Sequence, residues 1–127
     1  VKDCPYCDIA GNGDKHEIIL RNDRCTYSLL ERQEICGAGI IVPNEHRATV
    51  FDLTEAEWAA TYRLLGEVKA YLDFNYAPDG YNIGWNCGAV GGQHIFHAHM
   101  HVIPRYAHEK MAGKGIRYAF KTENGED

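Results

Sequence analysis

Between residues 97 and 103 the chain reads His97-Ala98-His99-Met100-His101-Val102-Ile103, an alternation of histidine with apolar residues. A period of two belongs to an extended strand whose successive side chains point to opposite faces. As a strand over 97–103, His97, His99 and His101 share one face and Ala98, Met100 and Val102 share the other. Four of the seven histidines fall within residues 94–101, so the chemistry of the chain is concentrated here. A purification tag or a loose metal-binding run lacks interleaved apolar residues and does not sit mid-chain before a proline. Imidazoles titrate near neutrality. Three in a row can supply a nucleophile, a neighbour that stabilises negative charge, and a neighbour that binds metal or fixes a tautomer.

The remaining elements read as scaffold. Residues 16–20 and 25–30 form two short strands around the polar turn Asn22-Asp23, and a third strand over 35–42 is ended by Pro43. Thr54 and Glu57 make a capping box that opens one long helix. Trp58, Tyr62, Leu65, Val68 and Leu72 form its apolar stripe, and it ends near Phe74, before Asn75 and Pro78. A strand over 81–86 follows, then the glycine-rich turn 87–92. The class is α+β, about five short antiparallel strands packed with one long helix. Residues 1–127 form a single domain without linkers, repeats or low-complexity tracts.

The formal net charge of -5 argues against a protein that coats nucleic acid. The balance is uneven: residues 105–121 carry five basic residues and one acidic, leaving the rest strongly acidic. A basic segment beside the histidines suits an anionic substrate, and solvated surface charge is the plain alternative. No run approaches the ~18 apolar residues of a membrane span. Five cysteines, an odd number without paired spacing, fit a reducing compartment, so a cytoplasmic location is expected.

Cys4-Pro5-Tyr6-Cys7 admits three readings. The four residues resemble the glutaredoxin active site, but that motif should follow a strand, and no partner loop comes later. A C-x-x-C turn also aims two thiolates at one tetrahedral ion and needs two more ligands, for which His46 and His97 are available. Reduced, partly buried thiols are the third reading. The turn 87–92 can bring backbone N–H groups close to an anion, or can use glycine for steric reasons alone.

At the alternating histidines the chain resembles the histidine triad family of nucleotide hydrolases and transferases. Gly92-Gln93 and Asn86 also look like family positions, and Val102-Ile103-Pro104-Arg105 resembles the hydrolase branches. The resemblance runs from Cys4 to about Arg105, with the signature at 92–103; the tail 107–127 is divergent and residues 122–127 read as a mobile end. The resemblance implies that His99 attacks the α-phosphorus of a nucleotide, its other ring nitrogen held by a backbone carbonyl. A protonated His101 and the amides of Gln93 and Asn86 would stabilise the phosphoryl oxygens. His94 stands where relatives carry a small Ser or Thr near phosphate.

Some branches bind zinc with a Cys-Cys-His-His set, here Cys4, Cys7, His46 and His97, in a structural role; no metal is required for the chemical step. Many relatives hold the ribose with an Asp or Asn thirteen residues before the matching proline, but here that position is Leu30, and Glu31 is the neighbouring substitute. The expected activity is hydrolysis of a nucleoside phosphoramidate or a dinucleoside polyphosphate. Pro104, Arg105 and the basic tail tilt the reading toward polyphosphate. A nucleotide-binding or interaction module with little turnover, and a nucleotidyltransferase or phosphorylase, are the alternatives. Expected partners are the nucleotide and a second copy in a homodimer, with neither nucleic acid nor membrane.

Overall fold

The first hairpin turns on Asn22. Its Oδ1 accepts the amides of Arg24 (3.0 Å) and Cys25 (2.9 Å), and its own amide donates to the Cys25 carbonyl, which folds strand β1 (Glu17–Arg21) onto β2 (Cys25–Leu29). The computed structural model describes residues 3–11, 16–30 and 35–120. Helix α1 (Pro5–Gly11) precedes β1; β3 (Gly39–Pro43), helix α2 (Glu55–Tyr76), β4 (Gly80–Trp85) and β5 (Met100–Arg105) follow β2. Glu31 and residues 122–127, expected as a ribose substitute and a mobile end, lie outside the described residues.

The five strands form one antiparallel sheet in the order β1-β2-β3-β5-β4. One face packs on α2: Cys25, Tyr27, Leu29, Ile41, Met100 and Val102 meet Ala60, Leu64, Val68 and Leu72. The other face is partly covered by α1, where Ile9 packs on Ile40 and Val42 with Tyr6 beside them. Met100, Val102 and Pro104 are buried on the helix side of β5, while His101, Ile103 and Arg105 are half-buried on the other. The predicted alternation therefore holds within the strand. β2 and β3 approach closely at Gly39, where a Cβ would come within 2.5 Å of the Ser28 carbonyl oxygen.

Several boundaries differ from the sequence expectation. The histidine strand starts at Met100 rather than at residue 97, because the Ala98 amide leaves the sheet and donates to the Arg47 carbonyl at 2.6 Å. The third strand starts at Gly39, since residues 35–38 are occupied by a turn in which Gly37 has φ 85°. Helix α2 continues past Asn75, whose side chain bonds back to the Tyr71 carbonyl, and stops at Tyr76 with Ala77 left-handed at φ 48°.

The capping box of Thr54 and Glu57 is present, and the expected stripe packs on the sheet at Leu65, Val68 and Leu72 but not at Trp58 and Tyr62. Val68 and Leu72 are buried, whereas Tyr62 is 78% exposed and Trp58 48% exposed, the latter edge-on to Trp85 at the sheet margin. Glu57, Ala60, Thr61 and Leu64 face the sheet instead. Small side chains at 60 and 61 let the helix approach β2 closely, with the Thr61 hydroxyl 3.3 Å from Cys25 Sγ. Among the described residues no helix is long and apolar enough to cross a membrane.

Candidate active site

Three segments converge on the sheet face opposite α2: the first turn of α1, the loop 44–49 after β3, and the loop 86–99 before β5. His97 sits where they meet and is fully buried. Its Nε2–H donates to the Pro43 carbonyl at 2.9 Å, since a carbonyl can only accept. That fixes the tautomer and leaves the Nδ1 lone pair facing Cys4 Sγ and Cys7 Sγ, 3.5 Å from each. His46 Nδ1 lies 3.3 Å from Cys7 Sγ, and the four ligand atoms are all within 4.8 Å of one another.

These separations resemble the edges of a metal tetrahedron. Bond lengths of about 2.3 Å to sulfur and about 2.0–2.1 Å to nitrogen give sulfur–nitrogen edges of roughly 3.5 Å. Two thiolates and two neutral imidazoles form a donor set that suits zinc, and Cys4, Cys7, His46 and His97 could hold such an ion. Burial raises the Cys4 pKa, while the Cys7 and Tyr6 amides pull it down. A cation at the centre favours the thiolates, so binding would release protons.

His99 is turned by the same backbone. Its Nδ1–H donates to the His97 carbonyl at 2.9 Å, which leaves Nε2 unprotonated. The ring is 6% exposed and touches two others, Tyr6 at 4.8 Å and His101 at 4.9 Å between centroids. Burial lowers the pKa of His99, against the opposing hydrogen bond to His97, and burial followed by His99 lowers that of His101. For His97, burial again dominates, opposed by the Pro43 bond and reinforced by His46 and His99. All three imidazoles therefore favour the neutral form. Burial thus disfavours the imidazolium in all three rings, His101 included.

The other expected contacts divide. Gln93 is 2% exposed, and its amide is taken up internally: Nε2 donates to the Ala48 (2.7 Å) and Ile95 (3.0 Å) carbonyls, and Oε1 accepts from the Gly88 amide at 2.9 Å. It pins the loop rather than facing a ligand. The amides of Gly91, Gly92 and Gln93 bond to carbonyls within the turn 87–92, so they are not turned toward an anion, and glycine is there for shape. Gly91 could not carry a Cβ, which would lie 2.5 Å from the Cys87 carbonyl oxygen, and Gly92 has φ 97°.

Asn86 is exposed and borders a pocket of about 300 Å³ with Asn82, Gly84, His101, Ile103 and Ile116. His94 is exposed and makes no hydrogen bond or ring contact among the described residues. Arg105 is directed elsewhere: its guanidinium donates to Glu109 Oε1 (2.5 Å), Asn82 Oδ1, and the carbonyls of Met111 (2.5 Å) and Lys114 (2.6 Å). It clamps the segment 106–118 to the sheet and is not a free phosphate ligand.

Two contributors were not anticipated. The Arg47 carbonyl receives Ala98, between His97 and His99, while its side chain donates to both oxygens of buried Glu57 at 3.0 and 3.2 Å. The helix N-terminus is thereby tied to the histidine loop. Burial pushes the Glu57 pKa up, but the bonds from Arg47 and Thr54 outweigh it and hold the carboxyl below its usual range. Tyr6, lying between the two cysteines, is the second. Glu57 was visible as a capping residue, but nothing local pairs it with Arg47.

Comparison with known proteins shows what the chain as a whole is similar to. A family model described as HIT domain matches residues 13–108. The adenosine 5'-monophosphoramidase of Schizosaccharomyces pombe is 29% identical over 113 residues, covering 88% of this chain and 81% of that one. The bis(5'-adenosyl)-triphosphatase of Saccharomyces cerevisiae is 32% identical over 94 residues, covering 71% of this chain and 45% of that one. The solved structure of SMU.412c from Streptococcus mutans superposes with a TM-score of 0.79 at 25% identity, over 87% of this chain and 70% of that one. A Zn-bound histidine triad family protein from Mycobacterium smegmatis gives 0.77 at 23% identity, over 89% and 82%.

Proposed function

The chain belongs to the HIT domain family, and from that membership we propose that it is a nucleotide hydrolase working through a covalent nucleotidyl-histidine intermediate on His99. Relatives named as a phosphoramidase and a triphosphatase support nucleotide hydrolysis at the level of the family. The single observation that carries the reading is the 2.9 Å bond from His99 Nδ1 to the His97 carbonyl, which leaves Nε2 as a free lone pair. That nitrogen attacks the α-phosphorus, and the leaving group departs with its electron pair. Water then attacks the same phosphorus, the P–N bond breaks, and the nucleoside monophosphate and neutral imidazole are released.

His101 and Asn86 are the groups on the open side of the site. An arriving phosphoryl charge favours the protonated form of His101, which then donates to a phosphoryl oxygen or to the departing group. Among the described residues the Asn86 side chain makes no hydrogen bond, so its amide can donate at the pocket rim. Cys4, Cys7, His46 and His97 would hold zinc, which supplies a structural cross-link between α1 and the histidine loop. All four of those ligand positions are protein atoms, the closed type of site.

Arg105 no longer supports a polyphosphate leaving group, and no Lys or Arg lines the pocket beside His101 among the described residues. An uncharged or amine leaving group suits that lining better. A homodimer belongs to the same proposal: β4 is an edge strand, and Tyr62, Leu65, Tyr81 and Ile83 line an apolar pocket of about 370 Å³ between it and α2.

The test is a product-resolved turnover assay, wild type beside His99→Asn, with adenosine 5'-phosphoramidate, a diadenosine polyphosphate series and ADP, each with and without inorganic phosphate. AMP release confined to wild type supports the histidine mechanism, and phosphate-dependent release of a nucleoside diphosphate would mark phosphorolysis. A folded protein that turns over none of them would leave a nucleotide-binding module.

A further inference from the structure

Tyr6 lies between the two cysteines in sequence and against the expected nucleophile in space. Its ring packs beside Ile9, Ile40 and Val42 and meets His99 edge-on, centroids 4.8 Å apart at 75°, with His97 at 6.3 Å and 79°. Among the described residues one hydrogen bond, Nδ1–H to the His97 carbonyl, holds the His99 imidazole. A single bond fixes the direction of that N–H but leaves the ring able to swing about it, which moves Nε2. Neighbouring rings remove this freedom, and among the described residues the two in contact are Tyr6 and His101.

Helix α1 has seven residues, too few to hold helical structure unaided. Its C-terminal end is tied by Arg21, which donates to the carbonyls of Ile9, Ala10 and Gly11. Its N-terminal end, which carries Tyr6, is tied through the Cys4 and Cys7 sulfurs, set 3.3–3.5 Å from His46 and His97. Sulfur contacts of that length are weak until an ion joins the four groups.

We infer that Tyr6 is a positioning residue for His99, held against the imidazole by the turn that Cys4 and Cys7 anchor, so that metal occupancy sets how well the nucleophile is aimed. This deepens the hydrolase reading and rests on His99 being its nucleophile. The ion touches no reacting atom; its effect travels through the Tyr6 ring.

The experiment compares full-length wild type, Tyr6→Leu and Tyr6→Phe, zinc-loaded, stripped with EDTA, and zinc-restored. Readouts are zinc content, kcat and KM for adenosine 5'-phosphoramidate, and the His99 Nδ1–H resonance of isotopically labelled histidine without substrate. Tyr6→Leu keeps the apolar packing and should bind zinc like wild type, lower kcat by about tenfold at unchanged KM, and broaden the His99 resonance. Tyr6→Phe should match wild type in all three. Stripping zinc should give wild type the kcat and resonance of Tyr6→Leu, add little to Tyr6→Leu itself, and be reversed by zinc.

A wild-type kcat and His99 resonance in zinc-loaded Tyr6→Leu would overturn the inference, as would equal losses on stripping in both proteins. If Tyr6→Leu loses zinc, the wild type decides: a His99 resonance unchanged by stripping overturns it. Absence of turnover in every sample would overturn the hydrolase reading, while the substrate-free resonance still decides the role of Tyr6.

Discussion

The carbonyl oxygen of His97 receives the Nδ1–H of His99 at 2.9 Å while the His97 side chain turns its own Nδ1 toward the sulfurs of Cys4 and Cys7. One residue thus belongs to two arrangements, its backbone to the proposed nucleophile and its ring to the candidate metal ligand set.

Removal of one sulfur tests the ligand set. Cys7→Ser replaces a soft thiolate with a hydroxyl and should abolish stoichiometric zinc binding, read by metal analysis. With zinc about a hundredfold above its Kd, the linked stability is about 2.7 kcal/mol. Chelation should therefore lower the wild-type Tm and leave that of Cys7→Ser unchanged. Equal chelator sensitivity in both would rule these four residues out as the site.

Glu57 makes stability depend on acid in a defined sense. Its folded pKa lies below the usual value because the bonds from Arg47 and Thr54 overcome burial. A carboxyl of that kind contributes stability that is fully present above its unfolded pKa, about 4.3, and is lost as the pH falls through the folded value. Glu57→Gln should cost about 1–3 kcal/mol at neutral pH, with the gap to wild type narrowing in acid below about pH 4. Urea titrations across that range measure it, and a gap constant with pH would mean that the charge on Glu57 is immaterial.

Arg105 should act on the tail rather than on phosphate. Arg105→Met removes the donors that reach Glu109, Asn82, Met111 and Lys114, and tryptic cleavage at Lys110 and Lys114 should accelerate on the order of tenfold. The cleavage rate of the native protein checks it. Unchanged cleavage with a large rise in KM would restore Arg105 as a substrate ligand.

Gly39 has no room for a side chain, since a Cβ would lie 2.5 Å from the Ser28 carbonyl and 2.9 Å from the Tyr27 ring. Gly39→Ala should force β2 and β3 apart at the centre of the sheet and cost about 3 kcal/mol or more by denaturant unfolding. A loss within the error of the measurement would show that the two strands can slide without penalty.

Features set by neighbours in the chain were legible before folding. The Asn22 turn, the Thr54–Glu57 capping box, the alternation of His101, Ile103 and Arg105 with Met100, Val102 and Pro104, and the pairing of Cys4 with Cys7 each depend on a few residues and a fixed backbone period. The family signature is of the same kind. Where the histidine strand begins was not, because the Ala98 amide is drawn to Arg47, which lies far off in sequence.

The face of α2 that is buried depended on how closely the helix could approach the sheet, so Ala60 and Thr61 displaced Trp58 and Tyr62. Gln93 and Arg105 carried the right chemistry for a ligand, but each is satisfied inside by near neighbours together with one distant partner, Ala48 and Asn82, 45 and 23 residues away. The sequence by itself determined the local hydrogen bonding, the strand period and the supply of imidazoles and thiols. Only the tertiary structure decided which polar groups face open space and which are satisfied inside, because a polar group takes whichever partner the docking of distant elements brings within about 3 Å.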